Sequence, residues 1–282
     1  MPASSAYPNQ GHRMTSKHPV ALVTGASSGI GLAAATHLAA AGYTVYGTSR
    51  RGADAGQRGF PVLALDVTDD ASVQAAIADL HAREGRIDLL VNNAGIGITG
   101  AAEESSIEQV RALFETNVHG VVRVTNAVLP LMRAQGGGRI LNVGSALGFI
   151  PAPFSAYYSA TKHALEGYSE SLDHEVRGFG IRVAVIEPAA TKTSFEASTV
   201  PSDRPLAIYD ALRASYQRTY DTAMAVADTA ESVAETIVLA ARDQRPKLRY
   251  PSGKAARQIT FARRFLPRSV LDKVLHKQFG MG

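Results

Sequence analysis

From Pro19 onward, short runs rich in apolar and β-branched residues alternate with longer stretches in which apolar residues recur every three or four positions. The runs are Val20 to Val23, Gly42 to Ser49, Val62 to Leu65, Ile87 to Val91, Arg139 to Val143 and Ile181 to Ile186. Runs of this length, bounded by turn formers, read as strands buried on both faces. Between them the spacing is helical. Ile30 to Ala41 is rich in helix formers, and Thr68 or Asp69 can cap a helix in which Val73, Ile77 and Leu80 form one stripe. A long helix is predicted from about Ile107 to Ala134 and another from Ser155 to Phe179, with a loose glycine-rich turn at residues 52–59. Such alternation predicts an α/β fold, a doubly wound parallel sheet with helices on both faces and a ligand crevice at the carboxyl ends of the strands. No internal repeat or second-domain linker interrupts the pattern.

The turn between the first strand and the first helix reads TGASSGIG, residues 24–31. Gly25 permits a tight turn, Gly29 lets backbone N–H groups approach an anion, and Gly31 lets the helix pack closely. Together with Ser27, Ser28 and Ile30 at the positive end of the helix, this stretch reads as a pyrophosphate cradle. After the second strand, where an acidic residue would take the ribose hydroxyls of NAD(H), the chain carries Ser49, Arg50 and Arg51. A guanidinium pairs with a 2′-phosphate that a carboxylate would repel, so NADP(H) is the expected cofactor ahead of NAD(H).

Further along, Asp66 and Val67 follow the third strand, and NNAG, Asn92 to Gly95, ends the fourth. The amides of Asn92 and Asn93 can bond neighbouring backbone, and Gly95 permits close approach beside Ala94. Asn117 is polar among Leu113, Phe114, Val118, Val121 and Val122, and a buried amide needs partners. Ser145 closes the fifth strand, and Tyr158 and Lys162 stand four apart on one helix face. The ammonium can lower the phenol's pKa from about 10 towards neutrality, which fits tyrosine for proton transfer. Such a pair alone is an ordinary surface feature, as the adjacent Tyr157 warns. Its meaning comes from its place in the order of motifs.

Composition narrows the classes further. With 282 residues, 45% hydrophobic and 19% charged, the chain suffices for one full-sized core. The absence of cysteine rules out a disulfide framework and a thiolate metal site, and no metal is expected. No apolar run approaches the roughly 18 residues of a membrane span, so a cytoplasmic protein is expected. Residues 1–17 lack a signal-peptide core and read as a disordered extension before a domain at 18–250, followed by a basic helical extension of it at 251–282. Residues 242–282 hold eleven Lys or Arg against Asp243 and Asp272, while the chain as a whole is only +4. Without a nucleic-acid motif, that excess reads as a solvated face, with contact to an anionic membrane the lesser alternative. Ile259, Phe265 and Leu266 before Pro267, and Val270, Leu271, Val274, Leu275 and Phe279 after it, give apolar faces expected to fold over the crevice. Tyr209, Leu212, Tyr216 and Tyr220 share a helix face that is either core or a lid.

The glycine turn, NNAG, Asn117, Ser145 and YxxxK, in that order across residues 24–162, resemble the short-chain dehydrogenase/reductase family. LRYPSGK and the closing helix resemble its hydroxysteroid- and retinol-dehydrogenase-like branch. The resemblance implies a single-domain Rossmann fold and hydride transfer between a nicotinamide and a carbonyl or secondary alcohol. It implies that Asp66 and Val67 bind adenine, that Asn93, Ala94 and Gly95 border the dinucleotide, and that Pro188, Thr191 and Thr193 hold the nicotinamide end, although Ala189 stands where the family has glycine. Tyr158 becomes the acid or base, Ser145 a donor to the substrate oxygen, Lys162 the group that tunes Tyr158 and holds the ribose, and Asn117 the holder of a relay water. The family's pairing of the two long helices across a two-fold axis implies a homodimer or homotetramer. Apolar residues in Phe149 to Phe154, after Thr193 and in the tail point to a hydrophobic small-molecule substrate. An NADP-binding regulatory or scaffold protein on the same fold, or an NAD-dependent alcohol dehydrogenase, is the alternative, and intact Ser145, Tyr158 and Lys162 weigh against the scaffold.

Overall fold

A computed structural model describes residues 18–52 and 59–280. The expected extension at 1–17 and most of the turn at 52–59 lie outside the described residues. In chain order the elements are β1 (Val20–Val23), α1 (Gly29–Ala40), β2 (Thr44–Ser49), β3 (Val62–Ala64), α2 (Asp70–Glu84), β4 (Leu89–Asn92), β5 (Gly97–Thr99), α3 (Ile107–Phe114), α4 (Gly120–Ala134) and β6 (Gly138–Val143). There follow α5 (Ala156–Val176), β7 (Ile181–Pro188), β8 (Thr191–Lys192), β9 (Thr199–Pro201), α6 (Asp210–Ala225), β10 (Asp228–Thr229), α7 (Ala230–Arg242), β11 (Arg249–Ser252), α8 (Gly253–Phe265) and α9 (Arg268–Phe279).

Seven strands form one parallel sheet in the order β11-β7-β6-β4-β1-β2-β3. The chain leaves β1 for β2 on one side and later returns to β4 on the other, so the strand order reverses between β1 and β4. Loops diverge at such a point and leave a crevice beyond the strand ends. One face of the sheet packs on α1 and α7 through residues such as Leu38, Val233 and Ile237, the other on α2, α4 and α5 through Leu80, Val128 and Leu172. Strands covered on both sides explain the unbroken apolar runs, and every residue of β1 is fully buried.

Two differences from the periodicity reading have local causes, and one alternative it left open is settled. The helix expected over 107–134 is broken by a π-helical turn at Glu115–His119, centred on Asn117. The Asn117 carboxamide accepts from Ile96 N–H and donates to Ile96 O, both at 2.9 Å, and the wider turn accommodates that clamp. Asp69, not Thr68, caps α2, accepting from the N–H groups of Ala71 and Ser72. The sheet also gains β11, paired to β7 across residue 250, where the C-terminal extension was expected to begin. Pro251 disguises that strand as a turn, and it is tolerated because β11 lies at the sheet edge.

Two minor pairs finish the crevice. β5 pairs with β9, and β8 with β10. The segment after β9 is tied down by Glu104, whose fully buried carboxylate accepts from the N–H groups of Ala101 at 2.8 Å and Leu206 at 2.7 Å and pairs with Arg213. Asp203 likewise accepts from the N–H and hydroxyl of Ser106.

Candidate active site

A cleft of about 1470 Å³ opens at the carboxyl ends of the strands. Gly25, Ser27, Ser28, Gly29 and Ile30 line one end of it. Gly25 and Gly29 have φ of +66° and +54°, the left-handed region that favours glycine. Gly31 is constrained by space instead, since a Cβ there would lie 2.3 Å from Gly25 O and 2.4 Å from Asn93 Nδ2. Asn93 secures the turn, its Nδ2 donating to Thr24 O at 2.9 Å and Gly25 O at 3.2 Å. Asn92 points the other way, into a buried chain of amides and hydroxyls that runs through Asn142 to Ser169.

Arg50, Asp66 and Val67 line the same cleft. Asp66 accepts from the N–H and hydroxyl of Thr68, and the backbone hydrogen bond holds its carboxyl below the usual range, with Arg50 adding to the effect. Ala94, Gly95, Pro188, Thr191 and Thr193 line it as well. Ala189 fits where the family has glycine because its φ is not positive; among the described non-glycine residues only Phe154 has that conformation.

Ser145, Tyr158 and Lys162 converge on the cleft floor. Ser145 Oγ accepts from Leu147 N–H at 3.1 Å, which caps a 3-10 turn at Ala146–Gly148 and fixes the hydroxyl beyond β6. Lys162 Nζ donates to Val143 O at 2.8 Å and lies 5.5 Å from the centre of the Tyr158 ring. Burial lowers the Lys162 pKa to about 8, with the charge of Glu166 acting in the opposite direction. Burial pushes the Tyr158 phenol up to about 12, against a hydrogen bond with Ser145 that favours ionisation. Burial thus acts against the direction expected from Lys162. Tyr157 faces away, its hydroxyl donating to Ala102 O.

Asn117 does not line the cleft. Its side chain is spent on Ile96 and on Thr161 Oγ1, so it joins the loop after β4 to α5. Overhead, Phe154 and Tyr216 lie 5.4 Å apart between ring centres, and Tyr216 stacks on Tyr220 at 6.1 Å and on Phe279 at 6.0 Å. Tyr216, Tyr220, Ile259 and Phe279 line the cleft, whereas Leu212 is exposed and Tyr209 bonds Glu103. Half of the predicted aromatic face is thus lid and half is not. Val270 and Val274, expected to dock, are exposed. Glu104 and Arg213 give no signal in the sequence; Phe154, at the end of the apolar stretch singled out there, takes φ +55°, held by Gly100 N–H donating to its carbonyl.

Comparison with known proteins decides the family, because residues 19–204 match the short chain dehydrogenase family model. The chain belongs to the short-chain dehydrogenases. As one, it is an oxidoreductase acting on CH–OH groups with NAD(P). It is 38% identical over 251 residues to estradiol 17-beta-dehydrogenase 1 of Rattus norvegicus, covering 82% of this chain and 72% of that one. It is 43% identical over 176 residues to a 3-ketodihydrosphingosine reductase of Bacteroides thetaiotaomicron, a match that spans 62% of this dehydrogenase and 65% of the relative. Its fold is shared with the crystal structure of a short-chain dehydrogenase from Streptomyces avermitilis, with a TM-score of 0.81 and 36% identity over 95% of this chain and all of that one.

Proposed function

We propose that this dehydrogenase transfers hydride between NADP(H) and the carbonyl or secondary alcohol of a bulky apolar substrate, with Ser145, Tyr158 and Lys162 as its catalytic residues and Asn117 as a positioning residue. The observation that carries the reading is the convergence of Ser145, Tyr158 and Lys162 on one cleft, with Lys162 Nζ 5.5 Å from the centre of the Tyr158 ring and with Tyr216, Tyr220 and Phe279 lining the same cleft. The cleft fits a dinucleotide. Gly25 to Ile30 offer left-handed turns and the α1 N-terminus to a pyrophosphate, and Asp66, Val67, Pro188, Thr191 and Thr193 line the same cleft. Arg50 beside Ser49 supports a 2′-phosphate, and hence NADP(H) ahead of NAD(H). When bound, the cofactor supplies or accepts the hydride.

In reduction, Ser145 donates a hydrogen bond to the substrate oxygen and Tyr158 delivers the proton to the developing alkoxide. A phenol whose pKa stands near 12 is fully protonated at neutral pH and ready as an acid. Lys162, fixed by Val143 O, holds positive charge beneath the ring. Asn117 fixes the helix that carries both, through Thr161. Relatives named for a sphingoid ketone and a steroid support an apolar substrate. The test is a panel of steroid, long-chain and small ketones followed by NADPH absorbance. Turnover confined to the bulky apolar members is expected, and turnover of the small ketones alone would contradict the reading.

A further inference from the structure

Behind the Ser145 turn lies a buried cluster of charge that the catalytic group does not use. Glu166 stands one turn beyond Lys162 on α5, and Glu187 precedes Pro188 at the end of β7. Their side chains are 9% and 1% exposed. Arg249 of β11 lies between them, its Nε 2.8 Å from Glu166 Oε2 and 3.6 Å from Glu187 Oε1, and its Nη2 2.9 Å from Glu170 Oε2. One guanidinium thus faces three carboxylates and gives both of its hydrogen bonds to α5. Glu166 Oε1 and both oxygens of Glu187 are left with no hydrogen-bond partner.

A buried carboxylate without a donor takes up a proton, because ionisation in that setting costs more than neutrality. Burial pushes Glu187 up to about 8, the Glu166 charge acts in the same direction, and Arg249 opposes both. Glu166 is also raised by burial, but its direct bond to Arg249 pulls it back. The proton therefore resides on Glu187, where it can be donated to the unpaired Glu166 Oε1. The other titratable groups around the pair are Lys162, His163 and Glu170 on α5 and Arg249 on β11. The Ser145 turn meets Glu166 through bare glycine: a Cβ on Gly144 would lie 3.4 Å from Glu166 Oε1, and one on Gly148 would lie 3.3 Å from that oxygen.

We propose that Glu166 and Glu187 share one proton and, with Arg249, form the positioning element behind the catalytic group, ionised Glu166 keeping Lys162 charged while the pair braces the Ser145 turn against β7. The role in catalysis rests on the reading of Lys162 given above; the shared proton does not. Lys162 is 7% exposed, and Glu166 is the group whose charge opposes its loss of a proton. Removing that charge leaves burial unopposed.

Two measurements on the full chain separate the claims. The first compares the Tm of Glu187→Gln with that of the wild type from pH 5 to pH 9. A carboxyl whose folded pKa of about 8 lies above its unfolded value near 4.5 withdraws stability as pH rises between the two, whereas glutamine does not titrate. The Tm of the variant should therefore gain on the wild type across that interval and then level off. A difference that stays flat or falls overturns the shared proton, whatever the enzyme's activity. The second follows kcat for ketone reduction against pH in Glu166→Gln, with Glu166→Asp as the conservative variant should the first fail to fold. The alkaline limb should move to lower pH by about one unit in Glu166→Gln and return towards wild type in Glu166→Asp. A lowered kcat with an unmoved limb overturns the positioning role. Failure of the catalytic reading itself would appear separately, as turnover retained in Tyr158→Phe.

Discussion

Replacing Glu104 with alanine should unfasten the segment after β9 while leaving the sheet intact. Its buried carboxylate satisfies the N–H groups of Ala101 and Leu206, and its third partner, Arg213, has a side chain that is 34% exposed. An unsatisfied buried N–H costs about 1–3 kcal/mol. Arg213 regains water and adds about 0–1 kcal/mol. Water entering the truncated space offsets part of the total, which leaves about 2–4 kcal/mol against the closed segment. Because each 1.4 kcal/mol is about tenfold, the Michaelis constant for a bulky apolar ketone should rise at least about tenfold. Affinity for NADPH should barely change, since the cradle at Gly25 to Ile30 lies on other elements. Steady-state kinetics, cofactor titration and limited proteolysis within residues 199–209 give the three readouts. The wild type should show the same loosening in acid. Hydrogen bonds, that from Leu206 N–H foremost, hold the Glu104 carboxyl below the usual range, so the tether is complete above the unfolded value near 4.5 and is lost as pH falls through the lowered one. Kinetics and protease susceptibility both unchanged in Glu104→Ala would refute this reasoning.

Arg50→Ala should cut the preference for NADPH over NADH by about 10- to 100-fold in kcat/KM, the range expected for one charged hydrogen bond to phosphate; a wild type equally efficient with both would show the charge argument to be wrong. Removing residues 255–282 takes away Ile259 and Phe279 from the cleft, so KM should rise for a bulky ketone much more than for a small one; equal effects would sink the cover idea and make binding to anionic vesicles the better account of the basic tail. Light scattering at micromolar concentration should give the mass of a dimer or tetramer, assembled through the faces of α4 and α5, and a monomeric mass would exclude that assembly.

How far the molecule was legible in its sequence depended on the range of the interaction. Six of the seven strands of the main sheet could be read because burial on both faces leaves an apolar signature, unbroken in Val20 to Val23. β11 could not, since Pro251 breaks the signature and its pairing with β7 is a long-range event. Asn117 was recognisable as a buried amide in need of partners, but its partner is the main chain of Ile96, which no helical spacing points to, and the π turn follows from that contact. The same limit hid Glu104. Its bonds to Leu206 and Arg213 cross more than a hundred positions, and one of two adjacent Glu in a polar stretch looks like surface. Tyr158 and Tyr157 are alike locally; only the order of motifs singled out the first, and only the fold shows the second bonded to Ala102. Burial raises the phenol's pKa, the opposite direction to the lowering expected from Lys162, and helical spacing carries no sign of that burial.

The central claim, that Tyr158 is the proton donor of an NADP(H)-dependent dehydrogenase, is tested most directly by measuring turnover and NADPH affinity together in Tyr158→Phe. The change deletes one hydroxyl from the cleft floor and leaves the ring packed against Phe195, with ring centres 5.8 Å apart in the wild type. Loss of one positioned acid should lower kcat at least about a hundredfold with the cofactor dissociation constant nearly unchanged. A near-normal rate would contradict the account and remove Tyr158 from the chemistry.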